Sequence, residues 1–244
     1  MSETTIGFYN PASVYPYATQ AALSSVRLIY PEAPVVISCD AAHDFSQIAS
    51  KYHAEYVHYY HKISYPQGDL GYSKINMLTW LDRLYLATTR LKTDYVVLWE
   101  DDCILMKPIT IDTDWYMAGH KFLFPGQVPT MPESFLDLIQ QFSGIRPSTN
   151  VYNCGGGSIF HSQTLIDNYN IIRQFWHENF DNVQQNIYRT IGWPDCFMTV
   201  FYYMSGKKLN ENKRLYNNYP LVKPFNFSTL APDIEIVHYV KDLY

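Results

Sequence analysis

The densest chemistry in the chain is the run Glu100, Asp101, Asp102, which directly follows the apolar stretch Val96 to Trp99. Three adjacent carboxylates repel one another at neutral pH, and the repulsion raises their pKa values unless a cation relieves it. A hard divalent ion does so: Mg²⁺ or Mn²⁺ commonly bridges one or two protein carboxylates and a substrate diphosphate. The alternative is a solvated acidic turn or helix cap. A strand that reads as buried on both faces normally ends where the next layer begins, which favours a held ligand.

Three other stretches carry candidate chemistry. In NCGGGSIF, Gly155, Gly156 and Gly157 precede an apolar strand pattern; they either let a ligand approach the backbone closely or form a flexible turn. The segment is neither of the two common glycine-rich nucleotide fingerprints. In GWPDCFMTVF, Asp195 falls in the first turn of an apolar helix, where the dipole favours a carboxylate. It is either that or a general base, with Trp193 as a platform for a sugar face. In IVHYVKDLY, His238 is either a satisfied core residue or a metal ligand, and Lys241 a phosphate contact.

Each of the four cysteines adjoins a polar or glycine-rich feature: Cys39 follows the second apolar run and precedes Asp40, Cys103 follows Asp102, Cys154 precedes the glycines and Cys196 follows Asp195. Structural zinc sites use closely paired ligands, and no CxxC pair is present. Neighbouring side chains in an extended segment point to opposite faces, so the thiols mark the core side of residues that face a cleft. Widely spaced cysteines fit free thiols in a reducing compartment.

The elements that position these groups follow from periodicity. Residues 5–9, 35–39, 55–60 and 95–99 read as strands, and helical spacing occupies 18–29, 45–52 and 73–91. This β-α alternation implies an α/β fold with a mostly parallel sheet flanked by helices, and such sheets place ligands outside the carboxyl ends of the strands. The second half is mixed, with helices expected over 135–142, 165–176 and 197–204 and a strand over 158–160.

The 244 residues are 47% hydrophobic and 17% charged, the balance of a compact globular chain rather than a disordered one. A net charge of -5 offers no broad basic surface, which argues against nucleic acid as a partner. No stretch approaches the ~20 apolar residues of a membrane span and no secretory leader is evident, so a soluble, cytoplasmic protein is expected. The 22 tyrosines suit packing and sugar faces alike.

Taken in order, the first strand, Asp40 after the second, the long helix, WEDDC as a DxD-type motif, GGGSIF, the WPD acid and the late histidine resemble a metal-dependent glycosyltransferase of the GT-A fold. The resemblance covers nearly the whole chain. It implies a Rossmann-like sheet in one domain over 1–244, with a nucleotide-binding half at 1–105 and a donor-sugar and acceptor half at 106–244. By this resemblance Phe8, Tyr9, Asn10, Pro11 and Asp40 line the base and ribose. Glu100 or Asp101 touches the ribose or a second face of the metal, and Asp102, with His238, binds Mn²⁺ or Mg²⁺. Lys74 and Lys241 reach the diphosphate, Gly155 to Gly157 and Trp193 lie against the donor sugar, and Asp195 is the base of an inverting transfer.

The implied partners are a nucleotide-sugar donor, with UDP as carrier, and a carbohydrate or other hydroxyl acceptor. Glu-Asp-Asp stands where Asp-x-Asp is commoner, which leaves open which of the first two acids meets the ribose. Two other readings remain: a noncatalytic sugar- or nucleotide-binding protein of the same fold, and a sugar nucleotidyltransferase. The latter usually carries a glycine-rich, basic signature near the first strand, which FYNPASVYP is not.

Overall fold

The computed structural model describes residues 4–12, 14–40, 43–63, 73–111, 117–120, 131–148, 154–186, 196–206, 209–217, 223–238 and 240. The first half alternates as expected: β1 (Ile6–Ala12), α1 (Pro16–Ile29), β2 (Val35–Cys39), α2 (Ser46–Lys51), β3 (Glu55–His58), α3 (Lys74–Leu91) and β4 (Tyr95–Leu98). Local chemistry sets the helix ends. Pro16 pre-sets the first turn of α1, and the Ser73 hydroxyl caps α3 by accepting from the Asn76 amide.

The second half supplies β5 (Ile104–Leu105), β6 (Met117–His120), α4 (Glu133–Ser143), β7 (Cys154–His161), α5 (Ser162–Asn186), α6 (Cys196–Ser205), β8 (Leu209–Glu211), β9 (Leu215–Asn217) and β10 (Ile236–His238). A seven-stranded sheet runs β3-β2-β1-β4-β7-β6-β8, and a three-stranded sheet runs β5-β10-β9. In the large sheet β3, β2, β1 and β4 are parallel. β7 is antiparallel to β4 and β6, and β8 is parallel to β6.

Two second-half expectations are corrected. The strand anticipated over Ser158 to Phe160 begins at Cys154, so the three glycines are strand residues rather than a turn before it. Packing explains this: a Cβ on Gly156 would meet Cys103 Sγ at 2.6 Å and Glu100 Cβ at 3.0 Å. The helix anticipated to end near Trp176 continues to Asn186, because its apolar face extends through the buried Phe180 and Val183.

Strand residues alternate between two cores. Tyr9, Val96, Leu98 and Phe160 meet α3, α4, α5 and α6 on one face, while Phe8, Val97, Trp99 and Ile159 meet α1 and the small sheet on the other. Both faces are therefore covered, as a largely parallel sheet requires. Among the described residues no helix is long and apolar enough to cross a membrane.

Candidate functional site

The strand order places a topological switch at β1. From β1 the chain proceeds to β2 and β3 on one side, then returns through α3 to β4 on the other. Open α/β sheets bind ligands at such a point, outside the carboxyl ends of the strands, which here are those of β1 and β4. Those ends carry Asn10 and Pro11 and the turn that follows Trp99. The Trp99 amide donates to the Tyr9 carbonyl at 2.7 Å, and Asn10 Nδ2 donates to the Trp99 carbonyl. Asn10 is fully buried, and its Oδ1 has no hydrogen-bond partner among the described residues.

Trp99 anchors the acidic turn. Its ring packs edge-on against Phe8 with centroids 5.5 Å apart, and its indole N–H donates to the Ala22 carbonyl at 3.2 Å. The chain then reverses, with the Cys103 amide donating to the Glu100 carbonyl at 3.2 Å. The Asp102 carbonyl accepts from the Val240 amide at 3.1 Å, which ties the C-terminal segment to the turn. β10 delivers His238 there: its Nε2 lies 3.4 Å from Asp102 Oδ1 and 3.1 Å from Glu100 Oε2. Asp102 and His238 are each 1% exposed.

Burial pulls the His238 imidazole down, but the Asp102 and Glu100 carboxylates outweigh it and push the group up to about 10. The protonated ring therefore supplies the positive charge that the acids require. A divalent ion would take over that charge and meet the ring in its neutral, ligating form. The donor set fits such an ion: an Asp102 oxygen, a His238 ring nitrogen and Cys103 Sγ all lie within 4.8 Å of one another, and all three residues are buried. Burial and the carboxylates of Asp102 and Glu100 push the Cys103 thiol well up. With the thiol protonated, the remaining oxygen and nitrogen donors suit Mn²⁺ or Mg²⁺.

Cys103 does sit in the core beside Val97 and Ile159, yet its sulfur also adjoins the acid and the histidine. The opposite-face argument fails here because Asp102 and Cys103 close a turn rather than extend a strand.

The other candidates divide. Phe8 and Tyr9 are core side chains, 0% and 1% exposed, on opposite faces of β1. Asp40, at the end of β2, accepts from Arg83 at 2.6 Å and from the Ile63 amide at 2.7 Å. Arg83 also lies over the Tyr59 ring, 4.2 Å from its centroid. This buried pair clasps the segment after β3 to α3, and sequence reasoning missed it because a single arginine in an amphipathic helix pattern reads as outward-facing. Lys74 pairs with Asp181 at 3.0 Å and donates to the His177 carbonyl at 3.2 Å, both on α5. Gly156 packs against the acidic turn, while Gly157, at φ +83°, packs against Leu215 and Ile236. Gly155 belongs to β7. Trp193, Asp195 and Lys241 lie outside the described residues.

No protein-family profile matches the chain, and no curated protein matches it in sequence. Solved structures do share its fold. A galactosyltransferase, LgtC, in complex with donor and acceptor sugar analogs superposes with a TM-score of 0.54 at 13% identity, over 96% of this chain and 87% of that one. An active-site mutant of LgtC gives 0.52 at 13% identity, again over 96% and 87%. The glycosyltransferase GlyE of Streptococcus pneumoniae TIGR4 gives 0.51 at 12% identity, over 98% of this chain and 55% of that one. Identity this low establishes a common α/β architecture and nothing finer.

Proposed function

We propose that this protein is a glycosyltransferase that moves a sugar from a nucleotide diphosphate sugar, with UDP as the carrier, to an acceptor hydroxyl, and that it requires Mn²⁺ or Mg²⁺. The observation that carries this reading is the buried Asp102–His238 pair beside Glu100, set at the switch point of a fold shared with sugar-transferring enzymes.

Asp102 and His238 would hold the ion, with Glu100 or Asp101 adjacent to it. When bound, the ion supplies positive charge where the leaving diphosphate accumulates negative charge. The chain's own groups do the rest. Asn10 offers a buried acceptor to a base or ribose hydroxyl, and a ligand lacking that donor is discriminated against by the cost of an unmade hydrogen bond. Gly156 keeps the β7 backbone close to the acidic turn, so the donor sugar would lie against main chain. The reacting carbon develops oxocarbenium character, and a base removes the acceptor proton. Asp195 is the proposed base, in an inverting transfer.

Release of UDP from a panel of UDP-hexoses and UDP-pentoses with Mn²⁺ tests the proposal. Wild type should release UDP from one of them, and Asp102→Ala should lower the rate by about 10²- to 10³-fold, the scale of losing one charge-stabilising group. Nucleotide binding without release from any sugar nucleotide would instead identify a noncatalytic binding protein.

A further inference from the structure

A purely hard-ion site has no use for sulfur, yet Cys103 Sγ lies within 4.8 Å of the Asp102 oxygen and the His238 nitrogen. Three features place it there. The turn folds Cys103 back on Glu100 through its amide; β7 presents Gly156, where any Cβ would meet Cys103 Sγ at 2.6 Å; and β10 brings His238 to the same point. Donors on one tetrahedral zinc-like ion, at about 2.3 Å for sulfur and about 2.1 Å for nitrogen, stand about 3.6 Å apart. His238 Nε2 and Asp102 Oδ1 already stand 3.4 Å apart, so the sulfur must draw in by up to about 1.2 Å for the cluster to close around a metal.

We infer that Cys103 is a third protein ligand, recruited when the site takes a borderline or soft divalent ion such as Zn²⁺, Co²⁺ or Cd²⁺, and left out when it takes Mn²⁺ or Mg²⁺. Thiolate ligands favour the softer ions, whereas carboxylate and water favour the hard ones. On ligation the thiol proton passes to solvent and the sulfur lone pair forms the bond to the ion; no electron is transferred. One acid, one imidazole and one thiolate then make a mixed site with sulfur-dependent affinity. This inference rests on the metal assignment proposed above for Asp102 and His238, but not on sugar transfer.

The test is Co²⁺ titration of the metal-free 244-residue chain, followed by near-ultraviolet and visible absorption. The expected result is a sulfur-to-cobalt charge-transfer band in wild type and in Cys39→Ser, lost in Cys103→Ser while the visible cobalt bands persist. Displacement of the band by excess Mn²⁺ ties it to this site without any variant. Zn²⁺ affinity should fall by at least about tenfold in Cys103→Ser, the scale on which metal sites respond to lost partners, with Mn²⁺ affinity changed less than about threefold. Cobalt bound without the sulfur band overturns the inference and leaves the hard-metal site standing. Failure of both Co²⁺ and Mn²⁺ to bind overturns the inference together with the metal assignment.

Discussion

Three glycines separate the effect of backbone strain from that of close packing at the acidic turn. Gly144, the C-cap of α4, has φ +74° with nothing within 4 Å of the place a methyl group would occupy, so alanine there meets strain alone. Gly156 meets crowding alone: its Cβ would stand 2.6 Å from Cys103 Sγ and 3.0 Å and 3.1 Å from Glu100 Cβ and Cγ. Gly157 meets both, with φ +83° and Leu215 Cδ1 at 2.6 Å. A left-handed alanine costs about 1–2 kcal/mol, overpacking costs about 1–3 kcal/mol, and lowered chain entropy in the unfolded state returns about 0.4–1 kcal/mol. Net losses of about 0–1.6, 0–2.6 and 1–4.6 kcal/mol follow for Gly144→Ala, Gly156→Ala and Gly157→Ala. Urea unfolding measures them. The atoms that must yield in Gly156→Ala belong to the turn bearing Asp102, so that variant alone of the first two should also weaken Mn²⁺ binding. Gly156→Ala with wild-type stability and wild-type Mn²⁺ affinity would refute the packing argument.

Metal-free protein should lose stability as pH rises. The His238 pKa is raised in the folded state to about 10 from 6.5, so its contribution is fully present below about pH 6.5 and is lost as pH climbs through about 10. Unfolding of His238→Gln should lack this slope, and an unchanged slope would remove His238 as its source. At neutral pH, Mn²⁺ binding should release a proton from the ring, seen as a calorimetric heat that depends on the buffer's ionisation enthalpy. Arg83→Ala should cost about 3–5 kcal/mol, because it leaves the Asp40 carboxylate buried without its partner; the two side chains are 5% and 1% exposed. A loss below about 1 kcal/mol in urea unfolding would show that the pair is replaceable.

Much of the first half was legible because parallel strands buried on both faces are continuous apolar runs. Val35 to Cys39 has the bounds its composition suggests, and α3 begins one residue after its serine cap. The second half was less so. β5 is two residues long and β8 and β9 three each, too short for a period to register, and glycines inside β7 look like a loop until the neighbouring acidic turn is in place. At the site, Asp102 and His238 stand out by residue type, and β10 brings them together. Cys103 was hidden by the turn, which cancels the alternation used to point it inward. Arg83 was hidden because its partner, Asp40, comes from a different element.

The central claim is a nucleotide site completed by a metal on Asp102 and His238. The most direct measurement is thermal unfolding with UDP, GDP and CMP, each with and without Mn²⁺, on wild type, Asp102→Ala and His238→Ala. At about 100 times its dissociation constant a ligand adds roughly 2.7 kcal/mol, a shift of several degrees for a chain of this size. Stabilisation of wild type by UDP only with Mn²⁺ present, abolished in both variants, is the predicted result. No shift by any nucleotide with Mn²⁺, or an equal shift in Asp102→Ala, would contradict it.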